Sequence, residues 1–89
     1  MLNGSGRAGV ARAATRMLRR RGLDVVFYGN AETAVESTRV LVRRGDPGAG
    51  RDVRQAIGAG RVVVEPDTLR RVNVSVILGP DFLPKVAGP

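Results

Sequence analysis

The chain has 89 residues, room for one domain and little more. It carries 15 Lys and Arg against 8 Asp and Glu, a net charge of +7, with 43% hydrophobic residues and neither Cys nor His. Thiol catalysis, disulfides, a Ser–His–Asp relay and zinc, haem or iron–sulfur ligation through Cys or His are thereby excluded. The longest apolar runs are four residues, far short of the roughly 20 that span a bilayer.

Leu2-Asn3-Gly4-Ser5-Gly6 reads as the end of a strand entering a turn, so the chain is expected to begin inside an element. From Gly9 to Arg21 the spacing predicts a helix. Val10, Ala14, Met17 and Leu18 recur on one face, and Arg12, Arg16 and Arg19 on the other. Arg19, Arg20 and Arg21 oppose the negative end of its dipole, and Gly22 stops it. A strand is expected over Leu23–Tyr28 on its β-branched and aromatic residues, with Gly29-Asn30 breaking it. Residues 31–37 form a polar connector. A third strand is expected over Thr38–Arg43, then a turn cluster over residues 45–50. Arg51–Ile57 reads as a short second helix and Arg61–Glu65 as a fourth strand closed by Pro66-Asp67. In a fifth strand, Val72–Leu78, alternation puts Val72, Val74, Val76 and Leu78 on the core face and Ile77 on the other.

The order β-α-β-β-α-β-β argues for an α+β fold of two layers: a mixed five-stranded sheet with both helices on one face. Consecutive strands without an intervening helix argue against a doubly wound parallel sheet, and a ferredoxin-like or related split βαβ arrangement is the natural candidate. The domain is expected to occupy residues 1–82, followed by a flexible tail over 83–89.

Gly4-Ser5-Gly6-Arg7-Ala8-Gly9 fits G-x-G-x-x-G letter for letter. In a dinucleotide site such glycines let the backbone approach a pyrophosphate at a helix N-terminus. Here no strand of normal length precedes the motif. The acid that should end the second strand is also missing: Asp24 opens that strand and Glu32 lies beyond it. A tight turn in which glycine supplies positive φ is the plainer reading. Between the two stands a simple anion site, with helix N–H groups and Arg7 holding a phosphate or carboxylate.

At this point the residues resemble a known module. Leu2-Asn3-Gly4-Ser5-Gly6-Arg7-Ala8-Gly9, the Ala- and Arg-rich helix and Arg21-Gly22-Leu23-Asp24-Val25-Val26 resemble the start of the LytR C-terminal domain family. The likeness continues through Tyr28-Gly29-Asn30-Ala31 and Thr38-Arg39-Val40-Leu41-Val42, and closes at Val74-Ser75-Val76-Ile77-Leu78-Gly79-Pro80-Asp81-Phe82. It departs at the beginning, where the family's first strand is longer. The resemblance implies an accessory domain of the bacterial cell envelope, outside the cytoplasm. Such domains follow the catalytic domain of some LytR–CpsA–Psr proteins, which attach anionic glycopolymers to peptidoglycan, or follow a single membrane helix. It implies no catalytic residues.

The expectation is therefore a non-enzymatic binding domain with no cofactor and no metal, whose partner is anionic cell-wall polymer or an envelope protein. Its candidate ligand residues are Asn3, Gly4, Ser5, Gly6, Arg7, Arg12, Arg16 and Arg19. The stripe is cheap to keep, because like charges at i, i+4 cost a helix only about 0.2–0.5 kcal/mol. A solvated face with Arg raised by GC-rich coding would look the same; Arg occurs 14 times against the single Lys85. The alternative is a cytoplasmic nucleic-acid or nucleotide binder. Phe27, Tyr28 and Phe82 are too few aromatics for a base-stacking platform. Ser5 with Lys85 makes no convincing nucleophile pair, and Glu32 and Glu36, placed to neighbour each other on a helical turn, read as solvating charge. The sequons at Asn3 and Asn73 read as chance. A third possibility is assembly through a sheet edge or through the outer sheet face around Ile77.

Overall fold

The computed structural model describes residues 1–25, 27–66 and 73–82. The expectations for Val26, Asp67, Val72 and the 83–89 tail with Lys85 lie outside the described residues. The elements are β1 (Leu2–Asn3), α1 (Val10–Arg20), β2 (Gly29–Asn30), β3 (Arg39–Val42), α2 (Pro47–Ile57), β4 (Arg61–Val64) and β5 (Val74–Leu78). They form one mixed sheet in the order β2-β1-β5-β3-β4. The α+β class, the element order and the five-stranded mixed sheet are as the sequence reads.

The strand order is not that of a split arrangement. β1 and β2 are adjacent and parallel, as are β3 and β4, so α1 and α2 each complete an unsplit βαβ unit. β5 lies between the units, parallel to β1 and antiparallel to β3. The ladders place the two units in a pseudo-twofold relation about β5: β3 runs opposite to β1, and its crossover steps the other way. Crossovers of one hand then deliver both helices to the same face. The core confirms that delivery. Val10, Ala14 and Leu18 of α1, Ala56 and Ile57 of α2, and Val40, Val76 and Leu78 of the sheet form one buried cluster.

α1 follows its predicted span closely. It ends in a Schellman turn, with the Leu23 N–H bonded to the Leu18 carbonyl and the Gly22 N–H to that of Arg19; Gly22 has φ 81°. α2 begins earlier than composition predicts. The Asp46 side chain accepts from the Gly48 N–H at 2.8 Å, and Pro47 occupies the first turn. Gly50, which read as part of a turn, is the residue this helix needs there, because a Cβ would lie 2.4 Å from Val42 Cγ2.

The strand expected over Leu23–Tyr28 is a correction. Only Gly29–Asn30, read as its break, pairs in the sheet. β2 takes its register from β1, Leu2 beside Gly29 and Asn3 beside Asn30. In that register Tyr28 falls level with Met1, before the first paired residue of β1. Among the described residues no strand pairs with Phe27 or Tyr28, so their β propensity goes unused and they stay exposed, Phe27 at 64% and Tyr28 at 44%. The 31–37 connector likewise has no helical turn to pair Glu32 with Glu36.

The segment that follows β5 is tied down by polar contacts to Thr38. Asp81 Oδ1 accepts from the Thr38 N–H at 2.8 Å and from its hydroxyl at 2.7 Å. The Gly79 N–H donates to Thr38 Oγ1 at 3.0 Å. This clasp seats Phe82 in the core at 2% exposure. Gly79 is obligatory there, since a Cβ would lie 2.6 Å from the Ser37 carbonyl carbon.

Candidate functional site

The carboxyl ends of β1 and β2 open onto a crevice of about 270 Å³. Asn3 and Gly4 form its floor and Gly6, Arg7 and Ala8 one wall; Asn30, Ala31, Thr33 and Ala34 form the other. The outer edge of a parallel βαβ unit, in front of a helix N-terminus, is where such folds commonly hold ligands.

The glycine turn owes its shape to its own side chains. Asn3 Oδ1 accepts from the Ser5 N–H at 3.1 Å and from the Ser5 hydroxyl at 2.6 Å. Asn3 Nδ2 donates to the Arg7 carbonyl at 2.6 Å, and Ser5 Oγ accepts from the Arg7 N–H at 3.1 Å. Two of the turn's backbone donors are therefore spent inside it. Gly4 is pinned from both sides: its carbonyl accepts from the Val35 N–H at 2.8 Å, and its N–H donates to the Leu78 carbonyl at 2.8 Å. A Cβ there would meet Val35 Cγ2 at 3.0 Å. Gly6 and Gly9 both adopt φ 80°.

Gly9 caps α1 without a side chain, and no acidic residue stands in the first turn. The helix therefore presents its positive end to the crevice side, with the first-turn N–H groups uncapped by any side chain. Arg7, Arg12 and Arg16 are exposed. Arg19 is exposed too, but it donates from Nη2 to the Val25 carbonyl at 2.8 Å, securing the chain that leaves the helix. The structure thus gathers Asn3, Gly4, Ser5, Gly6 and Arg7 into one turn and extends their positive charge along α1 through Arg12 and Arg16. Arg19 stands at the helix's other end. The wall after β2 is absent from the sequence-derived site. Tyr28-Gly29-Asn30-Ala31 signalled it only as part of the family likeness, because the parallel pairing that carries Asn30 and Ala31 to the crevice is not local.

At the base of β1, the Met1 amine donates to the Phe27 carbonyl at 3.3 Å. Burial lowers its pKa below the usual 8.0, because desolvation penalises the ammonium form. No helix among the described residues is long and apolar enough to cross a membrane.

Fold and site together define a basic, two-layer α+β module built from paired βαβ units, with a crevice at one end of the sheet. The family model described as LytR cell envelope-related transcriptional attenuator matches residues 1–82 of the 89. The chain belongs to that family and is a cell-envelope-related domain. No curated protein and no solved structure matches it significantly.

Proposed function

We propose that this domain is a non-enzymatic accessory module, working outside the cytoplasm, that binds anionic cell-wall polymer through Arg7, Arg12 and Arg16. One observation carries the reading. Three exposed guanidinium groups run from the crevice along α1, and no acidic residue lies on that helix. A repeating polyanion can engage all three together with the uncapped helix end, and guanidinium forks suit phosphate and carboxylate oxygens. The membership in an envelope-related family supports that class of partner. Sedimentation with purified peptidoglycan, carrying or stripped of its anionic polymer, tests it at low and high salt. Retention is expected only with the polymer and should fall as salt rises. The double substitution Arg12→Glu with Arg16→Glu should weaken it by about tenfold or more, a loss of roughly 1.4 kcal/mol. Equal retention on stripped and intact walls refutes the reading.

A second reading, a nucleotide or nucleic-acid binder, has one observation in its favour: G-x-G-x-x-G does sit at the turn of a real βαβ unit. Against it, Asn3 and Ser5 consume the N–H groups of Ser5 and Arg7 that a pyrophosphate would need. The second strand also ends in Asn30 rather than an acid. A thermal shift with dinucleotides, or a salt-sensitive mobility shift with DNA or RNA, would favour it.

A further inference from the structure

We propose that β4 is a self-complementary edge through which two copies of this chain pair into one continuous sheet. β4 ends the strand order, and among the described residues no strand lies beyond it. The Arg61 N–H bonds to the Thr38 carbonyl at 3.2 Å, and the Glu65 N–H to the Val42 carbonyl at 2.9 Å. Because a strand alternates, residues 61, 63 and 65 face β3, while Val62 and Val64 turn their N–H and C=O groups outward.

The outer sequence is Arg61-Val62-Val63-Val64-Glu65, cationic at one end, anionic at the other and apolar between. An antiparallel copy centred on Val63 sets Val62 opposite Val64 of its partner, twice. Each such pair exchanges both backbone bonds, so all four outward N–H groups are used. The same register sets Arg61 opposite Glu65 at both ends. Shifting the centre to Val64 sets Val62 opposite Pro66, which has no N–H to give. Shifting it to Val62 sets Arg61 opposite Val63 and leaves the charges unmatched.

Exposure agrees with an edge that awaits cover. Val64 is 56% exposed, where an isolated strand end needs no large apolar side chain. Glu65 bonds Arg43 Nη1 at 2.9 Å yet is still 58% exposed, so its carboxylate can also receive the opposing Arg61. Edge strands of soluble domains are usually blunted by shortness, charges, bulges or prolines. β4 is short and carries Arg61, but it has no bulge or proline within its span, and in the paired register that charge meets an opposite one. The exposed charges choose register and orientation, while the backbone bonds and valine pairs supply the attraction. So short an edge buries less than a standard interface and associates weakly.

The test is sedimentation velocity over a wide concentration range. The parent chain should rise from 9.4 kDa toward twice that mass. Arg61→Glu alone and Glu65→Arg alone set like charges opposite each other and should remain monomeric at concentrations where the parent dimerises. Mixed together they are complementary and should associate again, as should the charge-swapped double variant. In the parent, amide exchange at Val62 and Val64 should slow with concentration, a readout that needs no substitution. A mass independent of concentration overturns the proposal. So do single variants that pair as well as the parent, a mixture that stays monomeric, or Val62 and Val64 amides indifferent to concentration.

Discussion

Asp81→Ala isolates the clasp between the start of β3 and the turn after β5. By exposure alone Asp81 is a surface residue, and surface substitutions usually fall within about 0.5 kcal/mol of neutral. Its carboxylate nevertheless accepts two hydrogen bonds from Thr38, which is only 1% exposed. Bonds to a charged acceptor contribute about 1.5–3 kcal/mol net, and a buried donor left without a partner costs about 1–3 kcal/mol. The Thr38 hydroxyl keeps the Gly79 N–H at 3.0 Å, so part of the clasp survives. The expected loss is about 2–4 kcal/mol, a large share of the roughly 5–15 kcal/mol that holds a small domain folded. For a chain of this length it lowers Tm by at least about 8 °C. Urea unfolding followed by far-UV circular dichroism measures it, with the midpoint falling and the slope unchanged. A loss below about 0.5 kcal/mol would refute the argument, because the two bonds would then be ornamental. A double-mutant cycle with Thr38→Val should show strong coupling between the positions.

Two glycine substitutions separate steric from conformational demand. Gly79→Ala should abolish stable folding, since its Cβ meets backbone at 2.6 Å; Gly6→Ala, at φ 80° with open space around it, should cost about 1–2 kcal/mol by thermal melt. Thr15→Val should leave stability unchanged or raise it by up to about 1 kcal/mol in urea titration, because Thr15 Oγ1 is buried without a hydrogen-bond partner among the described residues. The Met1 amine has a folded pKa below its unfolded 8.0. Between those two values the unfolded chain binds more protons, so stability rises with pH through that window and levels off above about 8. Denaturant midpoints measured across the window check the sign; a fall would contradict it.

Much of this protein is legible in local chemistry. The Arg and apolar faces of α1 repeat at helical spacing, and Gly22 marks its end. Val40-Leu41-Val42 and Val62-Val63-Val64 are apolar runs rich in β-branched valine, and both are strands. The glycine turn also follows from sequence, because Asn3, Ser5 and Arg7 close it within five residues of one another.

What local patterns could not decide was pairing. Val25, Phe27 and Tyr28 carry the propensity of a strand, yet the residues that pair with β1 on that side are Gly29 and Asn30. Gly48 and Gly50 have the composition of a turn, yet Val42 across the interface makes glycine the residue a helix needs at position 50. The opposite wall of the crevice, the seat of β5 between the two βαβ units and the Asp81–Thr38 clasp all join residues distant in the chain. Propensity and capping act within a few residues and can be read from the sequence. Register, strand order and steric fit depend on which surfaces meet, and only the assembled sheet determines that.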